Sequence, residues 1–169
     1  YYPNFANYIA DFIQLHDKLD LKLYAVSPQN EPEFPTTKWD GCVWFPTQTA
    51  KFVKHYLKPT LNNRNLSTKV IIGENANWNV ANAYLSLTSA MLKEKDFDIY
   101  ASHGYSLPMF PQFLVTYNQH VLPWVSAFLF NKERWITEAS ATDAFDASMT
   151  KGVQLATSLT KFLTTGNIN

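Results

Sequence analysis

Three glutamates in this sequence stand where an apolar run gives way to polar residues: Glu31 in AVSPQNEPEFP, Glu74 in VIIGENANW and Glu138 in RWITEAS. A fourth such junction, FDIYASHGYS, places His103 and Tyr105 behind an apolar run. Two carboxyl groups facing one another can split an acetal. One gives a proton to the leaving oxygen, while the other attacks the carbon or activates water. Pro32 follows Glu31 directly, and a residue before proline is steered to extended backbone, so Glu31 is expected to be extended with its carboxylate held in one direction. Taken singly these residues are ordinary: a strand-end glutamate is usually solvated, a single histidine usually structural, and Trp78 and Trp135 usually core. Their recurrence at every junction is what points to chemistry.

For those residues to meet, the apolar runs must share one sheet. Residues 21–26, 69–73, 97–101 and 134–137 are short and apolar, as strands buried on both faces are. Helical spacing fills the intervals. Phe5, Tyr8, Ile9, Phe12, Ile13 and Leu19 form one stripe. Phe52, Val53, Tyr56 and Leu57 form a second, opening at Pro46 and ending at Pro59. Val80, Ala83, Tyr84, Leu87, Ala90 and Met91 form a third, and Phe113, Leu114, Tyr117 and Val121 a fourth, broken by Pro123. Val153, Leu155, Ala156, Leu159 and Phe162 form the last, capped by Ser148 and closed by Gly166. Strands alternating with helices imply an α/β fold with a parallel sheet. Two architectures fit, a doubly wound sheet and a (β/α)₈ barrel. No Gly-rich turn follows any strand and the chain has 5 Gly, which disfavours a nucleotide-binding sheet. In a barrel the active residues gather at the C-terminal strand ends. Glu31 and Glu138, three βα units apart, would then stand about 135° apart around an eight-stranded mouth, facing one another, and Glu74 between them competes for either role.

Composition narrows the choice further. The chain has 169 residues, 46% hydrophobic and 17% charged, enough to fold around a core. Fourteen basic residues balance fourteen acidic ones, which argues against a nucleic-acid or anionic-membrane partner. No run is long and apolar enough for a membrane span. Cys42 is the single cysteine, so neither an internal disulfide nor a cysteine zinc site can form. HExxH and GxSxG are both absent, and no cofactor or metal is expected. Aromatics make up 15% of the chain, and Trp39 and Trp44 lie in the loop after Glu31; flat rings there suit a wall on which a sugar stacks.

SPQNEP, HGY and WITE together resemble the clan of (β/α)₈ retaining glycosidases that carry Asn-Glu on the fourth barrel strand and Glu on the seventh. More narrowly, YYPNFANYIADFI, YAVSPQNEPEFP, the WDGC loop, HGYS, WITEAS, FDASM and LTTGNIN resemble, in order, glycoside hydrolase family 30. That family includes endo-xylanases (glucuronoxylanases), endo-β-1,6-galactanases, endo-β-1,6-glucanases and glucosylceramidases. The resemblance implies one catalytic domain over residues 1–169 covering about strands four to seven of the barrel, with strands one to three and eight outside it. Cut off in this way, the piece is expected to be inactive or badly folded. It implies Glu31 as general acid/base and Glu138 as nucleophile. Asn30 would bond the sugar 2-hydroxyl, Tyr105 would bond the nucleophile, and His103 and Trp78 would line the sugar subsite. The implied partner is a carbohydrate, a polysaccharide such as xylan or β-1,6-galactan, with a glycolipid or a catalytically dead binding barrel as alternatives; a secreted protein is expected. At GENANW the sequence departs from the family pattern, so no role is carried to Glu74.

Overall fold

The computed structural model describes residues 1–38, 40–105, 121–140 and 146–169. Trp39, the stripe around Phe113, Leu114 and Tyr117, and Phe145 of FDASM lie outside the described residues.

Four strands, β1 (Ala25–Val26), β2 (Lys69–Asn75), β3 (Ile99–His103) and β4 (Glu133–Glu138), form one sheet in the order β1-β2-β3-β4 with every pairing parallel. That order separates the two architectures. A doubly wound sheet reverses direction at a switch point, whereas here each strand lies beside its predecessor, as around a barrel wall. The fold is α/β, half of a (β/α)₈ barrel. β1 is much shorter than the expected 21–26. It is an end strand with one partner, and Leu21 and Tyr24 are exposed, so Leu23 and Tyr24 contribute carbonyls to Thr68 and Lys69 but no ladder of their own.

Alternation along the strands builds two apolar layers. Ile71, Ile99 and Ala101 meet Ala25 and Trp135 on the inner face. Val70, Ile72 and Tyr100 point outward into the main core beneath the helices. Helix α1 (Tyr2–Lys18) contributes Ala6, Ile9, Ala10 and Ile13 to it, a narrower stripe than expected, because Tyr8 and Phe12 lie one position round the helix and face solvent. The second stripe runs through α2 (Pro46–Phe52) and α3 (Lys58–Asn63) without stopping at Pro59. Between them Val53–Leu57 is a π turn in which the Lys58 N–H reaches back to the Val53 carbonyl. This widened turn comes just before Pro59, whose ring and missing N–H would break a regular α-helix.

Helix α4 (Trp78–Ala90) is capped by the Asn77 side chain, which accepts from the Asn79 and Val80 N–H groups. Its buried face is Ala81, Tyr84, Leu85, Thr88 and Ser89, not the expected stripe through Ala83 and Leu87. The two hydroxyl residues can be buried because each donates to its own helix, Thr88 to the Tyr84 carbonyl at 2.8 Å and Ser89 to the Leu85 carbonyl at 2.6 Å. Helix α5 (Met149–Lys161) starts at Ser148, whose hydroxyl accepts from the Lys151 N–H. It runs on through a π turn, Phe162–Gly166, and the left-handed residue that ends it is Asn167 at φ 51°, one beyond the expected glycine. Asn can adopt this conformation at little cost.

Candidate active site

The strand tips that form the mouth are irregular in a way that decides where side chains point. β2 and β3 pair Gly73 with Ala101 but Asn75 with Ser102, so Glu74 is an extra residue. β3 and β4 pair Ser102 with Ile136 but His103 with Glu138, so Thr137 is also extra. Each is a bulge that re-aims the residues after it. Strict alternation from inward Ile71 would send Glu74 outward with Ile72; the bulge turns it into the mouth. In β4, Trp135 faces in, and the bulge lets both Thr137 and Glu138 follow it. Gly73 makes the first bulge possible. Its φ is 111°, and a Cβ there would lie 2.1 Å from the Ala101 carbonyl oxygen.

Glu31 comes from the loop after β1. Its φ is 41°, left-handed and not the extended backbone expected before Pro32. The surroundings override the proline preference: the Glu31 N–H donates to the Glu74 carbonyl at 2.8 Å and the Glu31 carbonyl accepts from Phe34 at 3.0 Å. A non-glycine residue held in this region is strained, and such strain persists when surrounding bonds over-determine it. Glu33, which nothing in the sequence had marked, supplies further bonds. Its carboxylate accepts from the Asn75 amide at 2.7 Å and the Ala76 N–H at 2.8 Å, tying the Glu31 loop to the tip of β2. Burial holds the Glu33 carboxyl above the ordinary carboxylate range, against those two bonds and its own backbone N–H. Its position two residues after Glu31 in NEPEFP was the available signal.

His103 sits at the centre with its side chain 2% exposed. Its Nδ1 lies 3.1 Å from Glu31 Oε1 and 3.8 Å from Glu138 Oε1, and its Nε2 lies 3.6 Å from Glu74 Oε2. The Thr137 hydroxyl donates to that same Glu74 oxygen. The Tyr105 hydroxyl donates to Glu138 Oε1 at 2.6 Å and lies 3.1 Å from the Ser140 hydroxyl. Tyr105 itself is fixed from behind, where its carbonyl accepts from the Asn77 amide at 2.6 Å. Burial opposes charge on His103, but Glu74, Glu138 and Glu31 together raise its pKa above the ordinary histidine value. Burial, then the bond to Glu138, pushes the Tyr105 hydroxyl up as well.

Of the residues marked from sequence, Glu31, His103, Tyr105 and Glu138 therefore meet. One polar atom each of Glu31, His103 and Glu138 lies within 4.8 Å of the other two, and these atoms are engaged with one another. Asn30 is exposed beside Glu31. Trp78 is a correction. It is fully buried at the start of α4, stacked on Trp124 with centroids 3.7 Å apart, and its indole N–H donates to the Leu122 carbonyl at 2.7 Å. It is packed beneath the mouth and cannot line a sugar subsite. Trp44 is likewise buried against Tyr2, Phe5 and Phe52 and offers no stacking face.

Parallel βα units with carboxylates gathered at the C-terminal strand ends define a (β/α)₈-barrel protein with an acidic mouth. The sequence profile of O-glycosyl hydrolase family 30 matches residues 1–105, and the chain belongs to that family. Among solved structures it is similar to the glycoside hydrolase family 30 subfamily 8 xylanase Xyn30A of Clostridium acetobutylicum, at 26% identity and a TM-score of 0.71 over 99% of this chain. It shares its fold with the catalytic domain of xylanase C from Talaromyces cellulolyticus, at 18% identity and TM-score 0.75 over 99% of this chain. An endo-β-1,6-glucanase shares the fold over 63% of the chain, at 24% identity and TM-score 0.55. The chain spans 38% of the first of these proteins, 36% of the second and 24% of the third. No curated protein sequence matches it. Among the described residues no helix is long and apolar enough to cross a membrane.

Proposed function

We propose that this chain carries the two catalytic glutamates of a retaining glycoside hydrolase that cleaves β-glycosidic bonds in an extracellular polysaccharide such as xylan or a β-1,6-linked galactan or glucan. Glu31 is the acid/base and Glu138 the nucleophile. The observation that carries the reading is the separation of the two side chains. Carboxylate oxygens of Glu31 and Glu138 lie within 4.8 Å. That spacing suits direct attack on the sugar, for which carboxyls stand about 5–5.5 Å apart; an inverting enzyme needs about 6.5–9.5 Å to admit a water.

In the first half of the reaction Glu31 protonates the leaving oxygen while Glu138 attacks the anomeric carbon, so the C–O bond breaks as the glycosyl ester forms. In the second half Glu31 takes a proton from water, the water oxygen bonds to the same carbon, and the Glu138 ester is released. Tyr105 keeps the attacking oxygen of Glu138 aimed. Asn30, exposed beside Glu31, meets the sugar 2-hydroxyl. A 2-fluoro glycosyl fluoride of xylose or galactose tests the assignment. The expected result is a stable ester on the peptide holding Glu138 and, with an unmodified substrate, product released in the starting anomeric configuration. An inverted product, or an ester elsewhere, would overturn it.

A further inference from the structure

Glu74 takes no part in the two-glutamate reaction, yet among the carboxylates at the mouth it is the most enclosed. Its side chain is 7% exposed, against 13% for Glu31 and 48% for Glu138. It sits on a bulge at φ 61°, in the left-handed region that non-glycine residues avoid. A carboxylate in such a place is costly unless charge and hydrogen bonds offset the burial. Two groups do so at one oxygen, the Thr137 hydroxyl and His103 Nε2. The other face of the imidazole meets Glu31 and Glu138 through Nδ1. A neutral imidazole has one N–H and would turn a lone pair on a carboxylate at one side or the other; the doubly protonated ring meets both sides with a proton. The groups facing the ring are Glu31 from the loop after β1, Glu74 from β2, Glu138 from β4 and Tyr105, edge-on with centroids 5.9 Å apart, from the loop after β3.

We propose that Glu74 is a positioning residue that holds His103 as an imidazolium with its Nδ1–H directed at Glu31 and Glu138. The inference rests on the retaining-hydrolase reading of that pair. Over a catalytic cycle the pair exchanges a proton with the leaving group and with water, and the charge on Glu138 disappears and returns. A fixed cation 3.1 Å from Glu31 favours the carboxylate left when Glu31 gives its proton to the leaving oxygen. Without a counter-charge on its buried side, the ring would follow these changes by losing its proton or turning over. Glu74 supplies that counter-charge, and Thr137 locks the oxygen that does it.

The test joins a histidine-selective NMR titration to kinetics in Glu74→Gln and Glu74→Asp variants of the enzyme. In Glu74→Gln the His103 midpoint is expected to fall by about one pH unit or more. kcat is expected to drop about 10- to 100-fold, the loss of one charge-assisted contact, with KM changed little. A new ionisation should appear in the kcat profile between pH 5 and 8. Glu74→Asp, which keeps the charge, recovers most of the rate and shows a smaller fall in the midpoint. An unchanged His103 midpoint in the variants, or a shifted one with kcat and its pH profile untouched, would overturn the proposal. Fluorosugar labelling of Glu138 in the unaltered enzyme separates the two readings. If it fails, the hydrolase reading is lost, while the titration still judges whether Glu74 sets the state of His103.

Discussion

At the scale of single residues, the mouth is a set of carboxylates sharing one buried ring. Glu138→Gln should abolish turnover by at least about 10³-fold, since no nucleophile remains, and added azide should restore activity in Glu138→Gly with inverted product. Glu31→Gln should retain a fast first step for substrates with a good leaving group, because protonation is then dispensable. Tyr105→Phe removes a charge-assisted bond to Glu138, and a fall of about 10- to 100-fold in kcat is expected. Chemical denaturation provides a check that does not depend on activity. The pKa of folded His103 is raised, so its contribution to stability is fully present below the unfolded value of about 6.5 and is lost as pH rises through the folded value. The protein should therefore lose stability over that window relative to His103→Gln, whose curve should lack this slope; parallel curves would refute it. The polar residues of this cluster were legible as residue types at run ends. Their pairing was not, because which oxygen faces which nitrogen depends on backbone turns of a few residues.

At the scale of elements, the departures from simple periodicity carry the site. Gly73→Ala should cost about 3 kcal/mol or more, because the new methyl meets a backbone carbonyl and the φ is one that alanine resists. Gly152→Ala, in α5 with nothing near the added carbon, should stabilise by about 0.5–1 kcal/mol; thermal melts of the two variants should move in opposite directions. Strand and helix order could be read from spacing, and so could the Ser148 cap. The bulges could not, since an extra residue in a strand leaves the composition of the run unchanged. Helix faces were misread by one position in α1 and α4, where small or self-bonded residues such as Ala6, Ala10, Thr88 and Ser89 allow closer packing than bulkier neighbours. Pro59 was read as a stop because the π turn that admits it has no distinct sequence mark.

At the scale of the whole molecule, β1 and β4 are end strands, and large apolar side chains including Phe128, Met149, Val153, Leu159 and Leu163 face solvent. End strands and exposed apolar groups recruit other chains. The 169-residue polypeptide on its own is expected to self-associate, with sedimentation that rises with concentration; an ideal monomer with full hydrolytic activity would contradict this. The barrel direction itself was legible, because four strand tips with polar residues make sense only if all four open on one side.

The two bulges have a consequence for how this chemistry can be lost. Side chains along a strand obey an odd–even rule, and Glu74 and Thr137 each change the parity of the residues after them. The site is thus encoded as a count as well as a set of residue types. Straightening the strand at Thr137 would leave both glutamates, the histidine and the tyrosine in the sequence and still turn Glu138 away from the mouth. Removing Thr137 altogether would set Glu138 directly after outward Ile136, in the inward position, so the vulnerable state is the one in which Thr137 is kept and its bulge is lost.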